Sequence, residues 1–158
     1  MNDVAEILTS LEQVPVILAG LVGAVPATRL TERRRKGAWT IAEHAVHLAE
    51  AQVRIFGRIR LILSEDDPEI APFIPDPDAP PKPTVTLAEA LPVFAAERAK
   101  QLSILRPLPA AAWRRTARHP EYDAYGLYIL VRHVLLHDHW HMHRMEELWL
   151  TREALLAA

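Results

Sequence analysis

Apolar residues recur at intervals of three and four along most of the chain, the spacing of one face of an α-helix. Four long stretches carry this pattern, and none reads convincingly as a strand. The first runs from about Asp3, an N-cap candidate, to Val25. Pro15 inside it is expected to kink or split the helix, because proline lacks an amide donor and clashes with the preceding turn. The second opens at Thr40, which forms a capping box with Glu43, and carries Ile41, Ala45, Leu48, Ile55, Ile59 and Ile62 on one stripe to about Ser64. The third opens on a second capping box, Thr86 with Glu89, and reaches about Leu105, with a bend expected near Pro92. The fourth starts from Asp123 as N-cap candidate and reaches about Leu150, with a short turn expected from Thr151.

The connectors differ in texture. A basic segment, Arg29 and Arg33 to Lys36 followed by Gly37, reads as a solvated loop or, alternatively, as an anion-attracting rim. Prolines at 68, 72, 75, 77, 80, 81 and 83 make the second connector an extended crossover, which Phe73 and Ile74 are expected to anchor on the core. A third, from Arg106 to Tyr122, has room for a short helix at Ala110 to Arg115. Four helices with two long connectors and two short ones predict an all-α fold, a four-helix bundle with a long Pro-rich crossover between helices 2 and 3, as one domain over residues 1–158.

The fourth helix carries the chemistry. His133, His137, His139, His141 and His143 crowd into HVLLHDHWHMH. At about 100° per residue, His137 and His141 fall on the side of Leu127, Leu130, Val134, Met145 and Leu148, whereas His139 and His143 project from the opposite side with Glu146. An unpartnered buried imidazole is costly, and an i, i+4 pair is the spacing by which a helix offers two ligands to one cation. A third ligand is then expected. The second helix offers His44, at the edge of its apolar stripe, and His47 further round; spacing slightly favours His44. Glu43 is accounted for by capping and Glu50 by solvation, and His119, in a loop before Pro120, is a weaker candidate.

Composition narrows the classes. The formal charge of −2 lacks the basic excess of a nucleic-acid binder, so no nucleic-acid partner is expected. The absence of cysteine excludes disulfides and protein thiolate ligands. The first residues lack the charge and apolar run of a secretion signal, and no stretch approaches about 20 uncharged apolar residues, so a cytoplasmic chain without a membrane span is expected.

Three segments together resemble the DinB/YfiT-like family of metalloenzymes, which includes bacillithiol S-transferase-like members. GAWTIAEHAVHLAEAQ is similar to the family's second helix, with Trp39 at its opening and His47 and Leu48 eight residues on. GLYILVRHVLLHDHWHMHRMEEL resembles its last helix, with His137 and His141 before Glu147 and Leu148, and LEQVP, Leu11 to Pro15, resembles its kinked first helix. The resemblance implies the same bundle and a divalent metal on His47, His137 and His141, which overrides the slight preference for His44. His44 becomes a supporting or pocket residue, His133 a residue beneath the ligands or in the core, and His139 and His143 surface residues.

Three histidines leave coordination positions open, and imidazoles alone do not choose among zinc, nickel, iron and manganese. The resemblance implies a metal-dependent enzyme that transfers a low-molecular-weight thiol to a small electrophilic substrate, the sulfur coming from the cosubstrate in a cysteine-free protein. The alternatives are a metal-dependent hydrolase and a non-catalytic metal-binding or stress-response bundle. Asp138, His44 and Tyr125 are candidate helpers for a general base that the sequence does not identify, and the apolar tail from Leu148 to Ala158, with Trp149 and Leu150, is a candidate homodimer contact.

Overall fold

The computed structural model describes residues 3–35, 37–72, 84–152 and 155. Six helices follow one another: α1 (Val4–Ala24), α2 (Ala27–Leu30), α3 (Ile41–Ser64), α4 (Leu87–Leu105), α5 (Ala110–Trp113) and α6 (Leu127–Leu150). Among the described residues there is no strand beyond isolated bridges. The four long helices form the bundle: α3 packs on α4 and α6, α1 packs on the same two, and α1 and α3 face each other across the diagonal.

Both capping boxes form as expected. Thr40 accepts from the Glu43 amide at 3.1 Å while Glu43 accepts from the Thr40 amide at 2.7 Å. Thr86 and Glu89 repeat the exchange at the start of α4. Other local expectations are corrected. Asp3 makes no side-chain cap; its carboxylate accepts from the Tyr128 hydroxyl at 2.8 Å, tying α1 to α6. Asp123 lies ahead of α6, whose N-cap is Gly126. Glycine is required there because any Cβ would strike the Arg115 carbonyl oxygen. Pro15 and Pro92 sit within unbroken helices, so α1 is not split. Leu11, Val14 and Leu18, all buried around Pro15, hold both halves of α1 to one core. Phe73 and Ile74 lie outside the described residues.

The 21 residues of α1, mean hydropathy 1.6 over its most apolar window, make it long and apolar enough to cross a membrane by length and composition, although Glu6 and Glu12 keep it from being the uncharged run that the sequence is expected to lack. Here it supplies Ile7, Leu8, Leu11, Val14, Leu18 and Val22 to the bundle interior.

The core falls into two halves. One gathers Ile59, Ile62, Leu102, Leu105, Leu127 and Leu130. The other gathers Ile41, Leu48, Ala90, Phe94, Met145 and Leu148. Gln52, Arg98, Gln101 and Asp138, each no more than 2% exposed, lie between these halves in helix order. Arg98 donates to Asp138 Oδ2 at 2.6 Å and to Gln52 Oε1 at 3.3 Å, and Gln101 donates to Gln52 Oε1 at 3.0 Å. Burying such charges is costly unless they are paired, and this layer pairs them across three helices.

Candidate metal centre

The Thr40–Glu43 box starts α3 one residue after Trp39, and the helical repeat then sets His44 and His47 about one turn apart. His137 and His141 come from consecutive turns of α6. The two helices bring ligand-capable atoms of His47, His137 and His141 within 4.8 Å of one another. His47 Nε2 and His137 Nε2 are 3.2 Å apart. Two imidazole nitrogens ~2.1 Å from a tetrahedral cation would stand ~3.4 Å apart, so the spacing suits a shared ion.

His44 has a different place. It is 5% exposed, as its position at the stripe's edge suggests, and its Nδ1 lies 2.8 Å from Nδ1 of His141. One of these two nitrogens carries the proton between them. If it is His141, the lone pair on His141 Nε2 is free for a cation, and His44 orients the ring from behind. Angular position and family resemblance pointed to different histidines; the structure puts both beside the site, His47 in the triad and His44 against His141.

Burial first, then the charge of Arg144, lowers the His44 pKa to about 4. Burial and then His137 lower His47 to about 4. Burial and then His137, His47 and His44 lower His141 to about 2. These rings are therefore neutral at pH 7, the state a metal ligand requires. Trp39 supplies much of the enclosure, its ring centroid 5.2, 4.9 and 5.8 Å from those of His44, His47 and His141. The Trp140 ring meets His141 edge-on at 4.8 Å.

The polar layer reaches the triad through Asp138. Nδ1 of His137 and Oδ1 of Asp138 are buried, lack a hydrogen-bond partner among the described residues, and lie 3.8 Å apart. His137 itself is 35% exposed at its side chain, less sunk in the core than its angular position implied. A cation on Nε2 of His137 would leave the proton on Nδ1, facing that carboxylate. Neutral nitrogens at ligand spacing, an outer imidazole on one ring and a carboxylate near another are what a divalent ion requires.

A cleft of about 230 Å³ opens beside His47 and His137. It continues past His133 to His119, Tyr122 and Tyr125. His133 thus lines a cleft rather than packing in the core, with its ring 5.1 Å from that of Tyr122. His119 is not part of the triad group and lines the same cleft as His47 and His137. His139 and His143 are exposed, as expected. The described arginines of the basic connector, Arg29 and Arg33 to Arg35, are not among the residues that line the cleft. Arg33 pairs with Glu43 at 2.5 Å, and Arg34 donates to the carbonyls of Leu148 and Thr151 at 2.7 and 2.8 Å, capping the end of α6. Sequence reading passed over Arg98, Gln52 and Gln101, although each interrupts an apolar stripe: Phe94, Arg98, Leu102 on α4 and Leu48, Gln52, Ile55, Ile59 on α3. It also passed over Arg54 and Arg58, for which helix spacing offered no signal.

Known proteins resemble this chain in sequence and in fold. The chain is 28% identical over 123 residues to an Oceanobacillus iheyensis protein named "Putative metal-dependent hydrolase", covering 73% of this chain and 68% of that one. It is 26% identical over 147 residues to "Putative metal-dependent hydrolase YfiT" of Bacillus subtilis, covering 87% and 79%. The solved structure of YfiT, described as a probable metal-dependent hydrolase with an unusual four-helix bundle topology, matches with a TM-score of 0.80 at 24% identity over 94% of this chain and 86% of that one. At that identity the likeness establishes the fold. Residues 10–145 match the DinB superfamily, and the chain belongs to it.

Proposed function

We propose that this protein is a metal-dependent enzyme whose divalent ion is held by His47, His137 and His141. The observation that carries the reading is the convergence of three imidazoles from two helices within 4.8 Å. A divalent cation there would supply a Lewis acid able to lower the pKa of a thiol or a water. The chain's own residues do the rest. His44 orients His141, Trp39 keeps water from the rings, and the cleft beside His47 and His137 admits a small substrate.

Transfer of a low-molecular-weight thiol to a small electrophile is the first reading of the reaction. It draws on the resemblance of the helix motifs and on a chain without a sulfur nucleophile of its own. Hydrolysis is the second reading, favoured by the names of the relatives from O. iheyensis and B. subtilis.

Elemental analysis of protein purified without added metal tests the centre. Near-stoichiometric zinc, nickel, iron or manganese is expected in the parent and its loss in His137→Ala; a metal-free parent that also fails to take up added ion ends the proposal. A cobalt-loaded form separates the reactions. A new charge-transfer band on adding small thiols supports thiol transfer, and an unchanged spectrum together with cleavage of a simple ester replaces it with hydrolysis.

A further inference from the structure

The cleft beside the triad is unlike the triad in chemistry. Along α3 its wall runs from His47 through Ala51 to Arg54, Ile55 and Arg58, eleven residue steps or ~16 Å of helix. Along α6 it runs back from His137 through Val134 to Leu130. The middle of this trough is apolar. Its far end collects two guanidinium groups, Arg54 and Arg58, four apart on one helix face.

The connector between α5 and α6 closes that end. Arg118 and Ile70 exchange backbone bonds with the start of the crossover, at 2.8 Å to Pro68 O and 2.8 Å from Arg118 O. The Ala117 amide donates to Tyr125 O at 3.2 Å. This folding brings His119, Tyr122 and Tyr125 into the lining of the same cleft as the arginines, with the His119 and Tyr125 rings 4.8 Å apart. Nδ1 of His119 accepts from the Glu121 amide at 3.2 Å. The ring proton of the neutral imidazole is therefore on Nε2, a donor. Among the described lining residues the one carboxylate is Glu121, which is exposed.

We propose that the far end of this cleft is an anion subsite, in which Arg54 and Arg58, together with His119, hold a carboxylate or other oxyanion of a small substrate or cosubstrate. An oxyanion lying between two guanidinium groups on adjacent turns is attracted by both, and charge-assisted hydrogen bonds to it are strong ones. Arg58 donates one N–H to Ala71 O at 2.6 Å, and a guanidinium has five donors. Burial and then the charge of Arg58 depress the Arg54 pKa. The cleft, at about 230 Å³, is smaller than the ~300–1,000 Å³ of pockets for drug-sized ligands. The ligand is accordingly compact: an anionic end at the arginines, an apolar middle against Ile55, Leu130 and Val134, and a reacting end at the histidines. Only the placing of the reacting end rests on the metal reading above.

The test is calorimetric titration of the metal-free protein with glutarate and with its neutral isostere glutaramide. Saturable glutarate binding is expected, with glutaramide at least about tenfold weaker and glutarate binding reduced at least about tenfold in Arg54→Gln/Arg58→Gln. Arg60→Gln, an exposed arginine of the same helix outside the cleft, should bind as the parent does. Helicity checks the double variant; if it is misfolded, Arg54→Gln alone, which leaves the Arg58 bond to Ala71 in place, carries the test. Equal binding of both ligands, no saturable glutarate binding, or parental binding by a folded variant overturns the subsite. Because the titration uses metal-free protein, its outcome is independent of whether the triad retains an ion.

Discussion

His137 and Asp138 are chain neighbours with opposite surroundings: the imidazole stands at the edge of the bundle and the carboxylate is sealed inside it. His141 is more deeply set than His137, and its Nδ1 lies 2.8 Å from Nδ1 of His44. These differences assign different consequences to histidines of similar exposure. His44→Ala should leave metal stoichiometry near the parent's but weaken affinity ~10- to 100-fold, the usual effect of deleting a group that orients a ligand. Competition with a chromogenic chelator measures this. Abolished stoichiometry in His44→Ala would instead make His44 a ligand, and unchanged affinity would mean that it does not orient His141.

At the scale of elements, heptad spacing explains how a polar layer enters an apolar bundle. On α6 one row of buried positions runs Leu127, Val131, Val134, Asp138, His141, Met145 and Leu148, alternating steps of four and three, with Leu130 and Met142 buried beside it. On α3 the corresponding row runs Ile41, Ala45, Leu48 and Gln52, passes half-buried Ile55, and continues with buried Ile59 and Ile62. Asp138 and Gln52 occupy positions that apolar residues fill elsewhere in these helices, and Arg98 does the same on α4 between Phe94 and Leu102. Removing one partner of such a buried pair leaves the other charge stranded. Arg98→Ala should therefore lower stability by ~3–5 kcal/mol, read from urea unfolding at constant m-value. A loss well under ~1 kcal/mol, the value typical of surface pairs, would place this layer in contact with water.

The whole molecule responds to pH through its buried imidazoles. In the folded, metal-free protein His44 and His47 protonate at about 4 and His141 at about 2, whereas in the unfolded chain each does so near 6.5. Below about pH 6.5 the unfolded chain binds protons that the folded one refuses, so stability falls as the solution is acidified from there toward about pH 4. The lowered carboxylates Asp3, Glu43 and Glu89 titrate below their ordinary values of 3.8 to 4.5 and stay charged in most of that range. The urea midpoint of metal-free protein should therefore drop between pH 7.5 and 5; a midpoint unchanged over that interval would contradict the burial of the three rings.

The amino-acid sequence by itself determined the four long helices, their capping boxes and the bundle, because helix formation and one-sided burial follow from local spacing. It also contained the motif by which His47, His137 and His141 are recognised, although spacing on α3 alone leaned toward His44. The course of α1 through Pro15 was decided by tertiary packing, where contacts of Leu11, Val14 and Leu18 outweigh one missing backbone bond. Tertiary structure alone assigned Arg34 to the end of α6 and brought Arg54 and Arg58 into one cleft with His119. These groups are separated by a diagonal connection or by the crossover, and no local periodicity relates residues that meet only once the helices pack.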